Sequence, residues 1–194
     1  QFFVEGLVGF GSASYDISRL IAEDDARTTA SRDASHWFGS LGIAGNIALA
    51  NTFLQPYLRA DYQAAGLDAY REHSVSSLAL RYDSLDSDTM GYTGGVRANW
   101  SIATSFGSFD PMLRLEYRGL NRSSLNQHLE YADGLDETDY RLKNGSDSDT
   151  SGLVGAGFGL RFLNGFSAEL EYQTTLGSDL PDEQSIGAIV NWAF

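Results

Sequence analysis

The sequence predicts an all-β fold: an antiparallel β-barrel that crosses a membrane with its strands. Segments of about ten residues alternate apolar and polar side chains, which is the period of a strand with one apolar face. Short and long connections alternate between these segments, a pattern typical of bacterial outer-membrane barrels. No stretch reaches the roughly 18 continuous apolar residues of a membrane-spanning helix. A helical membrane protein is therefore excluded.

Composition fits one strand-rich domain over residues 1–194. The 21 Gly, 10 Tyr and 11 Phe, with only 3 Pro, suit many strands joined by turns. The net charge of −13 argues against nucleic acid as a partner. Most acidic residues fall in four stretches that are expected to be solvated loops, 22–33, 68–88, 130–149 and 179–183.

The first four strands are predicted over 1–17, 35–50, 54–66 and 90–102. The first is interrupted by glycines, and a polar loop over 18–34 follows it. The other three each have one apolar face, which carries Trp37, Leu41, Ile43, Ile47 and Leu49, then Leu58, Ala60 and Tyr62, then Tyr92, Val96, Trp100 and Ile102. A long connection separates the third and fourth strands, and its alternating residues 78–82 predict a projecting hairpin.

The last four strands are predicted over 109–122, 151–163, 166–176 and 184–194. The longest loop is expected at about 126–148. Asn164-Gly165 is a strong signal for a two-residue hairpin turn. The final strand alternates up to the carboxyl terminus through Ile186, Ala188, Val190, Trp192 and Phe194, and its length suits a tilted strand in a bilayer. Eight antiparallel strands result.

The polar faces of these strands predict a wet lumen. Its residues are mostly Arg, acidic side chains and Gly: Arg59, Asp61, Arg97, Arg114, Glu116, Arg118, Arg161, Glu169, Glu171, Gly155, Gly157 and Gly159. The charges are expected to pair, because unpaired charge is costly where water is scarce. The glycines either leave room for another backbone or relieve crowding in a narrow barrel.

Aromatic residues favour a membrane over a soluble sandwich, which would alternate in the same way. They cluster at strand ends, as expected at the two bilayer interfaces: Tyr62, Tyr92, Trp100, Tyr117, Phe166 and Tyr172.

Three stretches carry a family resemblance: Gly107-Ser-Phe-Asp-Pro-Met-Leu-Arg-Leu-Glu-Tyr117, Leu54-Gln-Pro-Tyr-Leu-Arg-Ala-Asp-Tyr62 and Leu78-Ala-Leu-Arg-Tyr-Asp-Ser84. Their order along the chain resembles the C-terminal translocator, or β-domain, of bacterial autotransporters, the type V secretion proteins. The aromatic carboxyl terminus looks like the signal that the outer-membrane barrel-assembly machinery reads, which assigns that role to Ile186, Val190, Trp192 and Phe194.

The resemblance implies a barrel of about twelve strands, a helix that plugs the pore and a secreted N-terminal passenger. The chain is then either the C-terminal part of such a barrel or a smaller relative. Within the lumen we expect Arg97, Arg114, Arg161, Glu116 and Glu169 to hold the plug. The implied location is the bacterial outer membrane, with long loops extracellular and both termini periplasmic. The implied partners are outer-membrane lipid, lipopolysaccharide, the assembly machinery and the passenger.

Two other functions stay open. A lone small barrel could act as a structural anchor or adhesin. An outer-membrane hydrolase is a weaker alternative, with His73 or His128 as its base. The sequence has no Gly-x-Ser-x-Gly elbow, and the stretch 144–149 lacks the ligand positions of a calcium loop. No catalytic residue, metal or cofactor is therefore predicted for this chain.

Overall fold

A computed structural model describes residues 1–134, 139–177 and 183–192. These residues form two antiparallel sheets and no helix that is long and apolar enough to cross a membrane. The strands are β1 (Phe2–Ile21), β2 (Ala26–Gly45), β3 (Ile47–Leu49), β4 (Thr52–Leu67), β5 (Tyr70–Arg71), β6 (Leu80–Tyr82), β7 (Leu85–Trp100), β8 (Ile102–Thr104), β9 (Gly107–Arg122), β10 (Leu125–Tyr131), β11 (Tyr140–Asn144), β12 (Asp147–Phe162), β13 (Phe166–Leu176) and β14 (Gln184–Trp192).

The main sheet follows the order β1-β2-β4-β7-β9-β12-β13-β14. Short strands β3 and β8 extend it by pairing with β4 and β9. The sheet is curled as a half-barrel. Within the described residues β1 and β14 do not pair with each other, so each forms an edge. The eight strands of this order confirm the predicted all-β antiparallel fold.

The main sheet has one apolar and one polar face. We call the face that carries Leu58 and Leu115 the apolar face, and the face that carries Tyr57 and Glu116 the network face. Leu58 and Leu115 are 64% and 54% exposed. A soluble sandwich would cover such residues with a second layer. The apolar face therefore exposes side chains that a soluble protein would bury in its core.

Tight turns join the strands at one end of the main sheet. The hairpin between β12 and β13 turns at Asn164 and Gly165, as predicted. Gly165 has a φ of 83°, which is easily adopted only by glycine. The Asn164 side-chain oxygen accepts a hydrogen bond from the backbone N–H of Phe166 at 3.1 Å. This turn chemistry fixes the register of the two strands.

The loop predicted over 18–34 is wrong. Strands β1 and β2 continue through it with unbroken pairing and turn only at residues 22–25. The stretch lacks a clear apolar face. We attribute this to solvent exposure of both faces. These strand ends project beyond the part of the sheet that has an apolar face, so alternation is not required there although backbone pairing continues.

The longest predicted loop, 126–148, is also wrong, because it contains most of β10, all of β11 and the start of β12. Strands β10 and β11 join β6 and β5 in a four-stranded sheet of order β11-β10-β6-β5, which we call the loop sheet. Two separate connections of the chain thus fold together. Most of the predicted loop 177–183 lies outside the described residues.

Candidate functional site

Glu116 is the most deeply buried acidic side chain of the network face, on β9. Its side chain is 1% exposed. An ionised carboxylate so placed is strongly unfavourable unless cations and hydrogen-bond donors surround it. Its partners therefore define the site.

Two arginines flank Glu116 on its own strand. Arg114 Nε donates to one carboxylate oxygen at 2.6 Å, and Arg118 Nε donates to the other at 2.8 Å. Residues two apart on a strand share a face, so this spacing places both guanidinium groups beside the carboxylate. From β4, the Tyr57 hydroxyl donates a third hydrogen bond. One carboxylate faces two cations, which leaves the group with a surplus positive charge.

Tyr57 reaches Glu116 across an intervening strand because Gly95 lies between them. The register places Tyr57 opposite Gly95, and Gly95 opposite Glu116. A Cβ at Gly95 would lie 2.7 Å from the tyrosine ring and 2.8 Å from Glu116 Cγ. A glycine at this point permits the close approach.

A second ion pair lies near the short-turn end of the same face. Arg161 Nε on β12 donates to Asp110 on β9 at 2.8 Å. The hydroxyls of Ser101 and Ser108 also donate to this carboxylate, at 2.8 and 3.0 Å. A third pair, Arg59 with Asp61 at 2.9 Å on β4, is more exposed.

The predicted lumen residues all fall on the network face, but the structure joins only some of them. Arg97 lies opposite Arg114 in the register, and Gly155 lies on the other side of Arg114. Glu169 and Glu171 lie opposite Gly159 and Gly157 on β12, away from Glu116. Of the five residues expected to hold a plug, Arg114 and Glu116 form one group and Arg161 a second. Their role in holding a plug stays a prediction.

A cavity of about 580 Å³ lies against the network face, lined by residues of β1, β2, β4, β7, β9 and β12. Its lining mixes charged and apolar side chains, among them Leu7, Phe38, Arg59, Asp61, Arg118 and Leu120. Such a surface suits an amphipathic occupant better than water alone.

Of the six predicted interface aromatics, Trp100 and Phe166 lie at strand ends, whereas Tyr62, Tyr92, Tyr117 and Tyr172 lie within β4, β7, β9 and β13. Tyr92 packs against Tyr117 at 6.3 Å and Tyr62 against Trp37 at 4.9 Å. Near the short turns, Phe166 lies 5.6 Å from Phe162. The remaining two, Trp100 and Tyr172, lie opposite Thr52 and Ile186. Their position at a bilayer surface stays a prediction.

The proposed assembly signal falls on edge strand β14. Ile186, Val190 and Trp192 are exposed there. Phe194 lies outside the described residues. Recognition of this strand by the assembly machinery stays a prediction.

The two candidate bases, His73 and His128, have different partners in the described structure. His73 pairs through its backbone with Thr29. His128 Nδ1 lies 3.0 Å from Asp139, which also accepts from Arg141. Among the described residues no group of three or more His, Cys, Asp or Glu could hold a metal ion.

Sequence reasoning missed a second buried carboxylate, Glu72, whose side chain is 2% exposed. Arg19 donates to it from Nε at 3.0 Å and from Nη2 at 2.6 Å, and the backbone N–H of Leu80 donates at 2.9 Å. Burial raises the pKa of the Glu72 carboxyl, but these hydrogen bonds and the charge of Arg19 outweigh it and hold the pKa below the usual 4.5. Both residues lie in predicted loops, so no pattern linked them.

Sequence reasoning also passed over Tyr57 and Asp110 as site residues. Tyr57 alternates with the apolar Leu58 and so shares a face with Arg59 and Asp61, but one aromatic among polar neighbours is a weak signal. Its partner could be identified only from the registers of three strands.

Comparison with known proteins gives a family match and likenesses to solved structures. The model of the autotransporter β-domain family matches residues 1–173. No curated protein matches the chain. Among solved structures, BauA, the ferric preacinetobactin receptor from Acinetobacter baumannii, is similar over 97% of this chain and 44% of its own, with 9% identity and a TM-score of 0.30. The chain thus spans less than half of that receptor, and the likeness carries no further argument. Because the family model covers most of the chain, this protein belongs to the autotransporter β-domain family, a family of outer-membrane translocators.

Proposed function

We propose that this chain forms part of the wall of an outer-membrane pore and assists the export or surface display of an N-terminal passenger. Its apolar face contacts lipid and its network face lines the lumen. One observation carries the proposal: exposed Leu58 and Leu115 lie on one side of a sheet whose other side buries Glu116 among cations. Lipid outside and water inside stabilise this arrangement.

The lumen side can hold a polypeptide without binding it tightly. The surplus positive charge at Arg114 and Arg118, and the cavity beside Leu7 and Phe38, offer both polar and apolar contacts. The occupant is first the passenger in transit and then its linker. This linker is the plug helix that the family resemblance implies. Arg97, Arg161 and Glu169 contribute further charge along the same face.

The two unpaired edges, β1 and β14, leave room for further strands that complete the barrel. The chain supplies the C-terminal strands of a larger barrel of about twelve, and further strands of the same protein join β1 to β14. Exposed Phe10 on β1, 91% accessible, is then covered by lipid or by the next strand. The barrel-assembly machinery recognises β14, and lipopolysaccharide surrounds the outer rim.

Passenger export is tested with the natural gene product that carries this chain. An epitope inserted in the N-terminal passenger is expected on the cell surface, where added protease removes it from intact cells. An epitope that stays protected until the outer membrane is broken would overturn the export proposal. A gene that encodes only a signal peptide before this chain would favour the anchor or adhesin instead.

Orientation is tested with single cysteines, because the chain has none of its own. Val75 in the long connection and Leu163 in a short turn are 100% and 84% exposed. A membrane-impermeant maleimide is expected to label Val75→Cys on intact cells and Leu163→Cys only after the outer membrane is opened. The reverse pattern would invert the proposed topology.

A further inference from the structure

The loop sheet has one largely apolar side and one charged side. The register aligns Tyr70, Tyr82, Leu129 and Tyr140 across its four strands, and Tyr70 stacks on Tyr82 at 4.5 Å. The opposite side carries exposed residues such as Arg71, Arg81 and Glu130. A sheet with this pattern needs a surface to cover its apolar side.

The projecting end of the β1–β2 hairpin meets this sheet at its β5 edge, where Thr29 pairs with His73, while the residues of β11 stay exposed. Ile21 and Thr28 of the hairpin, with Ala79 of the connection that leads into β6, are almost completely buried. Hydrogen bonds cross this boundary at several places, and three of these places together we call the seam. They are the Arg19–Glu72 pair, the paired backbones of Thr29 and His73 at 2.8 and 3.1 Å, and Arg32, which donates to the Asp68 carbonyl at 2.7 Å and lies over the Tyr70 ring.

The seam lies on the inner side of the wall. Pairing of β1 with β2 is continuous from Phe2–Gly45 to Ile21–Ala26, so alternate residues keep the same face along the hairpin. Arg19 shares the face of Glu5 and Leu7, and Leu7 lines the cavity on the network face. The connection that leads into β6 therefore packs on the continuation of the network face, where Arg19 also donates to the Leu78 carbonyl at 3.0 Å.

We propose that the loop sheet is an exit gate over the extracellular mouth of the pore, closed by the seam, with the Arg19–Glu72 pair as its main contact. This inference rests on the proposed function. The gate moves as a unit, because β6 and β10 pair and the Ala132 N–H donates to the Ala79 carbonyl at 2.7 Å. It separates along the seam, where a few side-chain and backbone contacts part while both sheets keep their ladders. On opening, the buried Glu72 carboxylate becomes hydrated and its hydrogen bonds to Arg19 break.

A reversible cross-link tests the gate. In the natural gene product, Thr29→Cys with His73→Cys joins the gate to the hairpin across the seam. The control, Asp16→Cys with Ser31→Cys, joins two residues that are opposite each other within the hairpin. Surface exposure of the passenger is measured under oxidising conditions and again after reduction.

The seam cross-link is expected to abolish passenger exposure, and reduction is expected to restore it. The control cross-link should leave exposure unchanged. Normal export with the seam oxidised would overturn the gate, as would failure of the seam cysteines to pair in the folded protein. If no passenger reaches the surface without any cysteine substitution, the proposed function fails first, so the two failures are distinguishable.

Conductance gives a second measurement that needs no passenger. The purified natural product in a planar bilayer is expected to open about tenfold more often with Glu72→Gln, because the charged hydrogen bonds that hold the gate are weakened. Glu130→Gln is the matched control, since its pair with Arg81 lies within the loop sheet and is exposed. Equal opening frequencies in the two variants would contradict the assigned role of the Arg19–Glu72 pair.

Discussion

Glu116 and Glu72 bury the same chemical group in two different regions of the molecule. Glu116 is held by two arginines of its own strand and by a tyrosine of the same sheet. Glu72 is held by an arginine 53 residues away, on a different hairpin. The first carboxylate ties strands of the main sheet, and the second ties the end of the β1–β2 hairpin to the connection between β5 and β6. The same ion-pair chemistry thus serves a permanent contact in one place and a separable contact in the other.

The number of cations distinguishes their energetics. Removal of the Glu116 carboxylate leaves Arg114 and Arg118 side by side without a counter-charge. Removal of the Glu72 carboxylate leaves Arg19 alone, and its side chain is 37% exposed to water. Water can stabilise Arg19 when its partner is lost, whereas two adjacent guanidinium groups repel each other. Substitution at Glu116 should therefore be the more damaging.

The largest expected effect is that of Glu116→Ala, which should destabilise the folded barrel by about 3–5 kcal/mol. The control Asp61→Ala removes a pair with the same two-residue spacing but higher exposure, so about 0–1 kcal/mol is expected. Urea unfolding in lipid or detergent, followed by tryptophan fluorescence, measures both. Equal losses would show that burial of Glu116 does not matter.

The next largest effect is expected at Gly95, which leaves the space between the Tyr57 ring and Glu116. Gly95→Ala adds a methyl group between the tyrosine ring and Glu116, and overpacking of this kind costs about 1–3 kcal/mol. Gly91→Ala on the same strand and face is the control, since its new Cβ would meet no atom nearer than 3.7 Å. The same unfolding assay applies. A Gly95 variant as stable as the Gly91 variant would mean that Tyr57 and Glu116 readily move apart.

Low pH should loosen the seam. The pKa of Glu72 is lowered by folding, so its contribution to stability is present above the usual 4.5 and is lost as pH falls through the lowered pKa. Near-ultraviolet circular dichroism of the stacked Tyr70 and Tyr82 follows the seam in an acid titration. Glu72→Gln should lose this transition, whereas Glu130→Gln should keep it. A transition that persists in Glu72→Gln would assign it to another group.

The same comparison shows what the sequence could predict. Alternation of apolar and polar residues identified the eight wall strands, because lipid and lumen impose opposite requirements on neighbouring residues. Above the apolar band this constraint disappears, so residues 18–34 read as a loop although they pair without interruption. Arg114, Glu116 and Arg118 could be grouped from their spacing alone. Arg19 and Glu72 could not, because their contact depends on how a loop folds back on a hairpin.

The smallest expected effect is an alkaline counterpart of the acid titration. Burial, followed by the neighbouring Tyr82, raises the pKa of Tyr70 to about 12, while Arg32 opposes the shift. A raised pKa in the folded state means that this contribution to stability is complete below the usual 10 and is lost as pH rises through about 12. In an alkaline titration followed by tyrosinate absorbance, one component should therefore ionise at higher pH than the exposed tyrosines. This component should disappear in Tyr70→Phe. Arg32→Ala should move it to still higher pH, whereas Arg81→Ala, on the other side of the loop sheet, should not. A Tyr70 that titrates with the exposed tyrosines would show that the seam does not bury its ring, and the acid transition could then no longer be assigned to the same closed state.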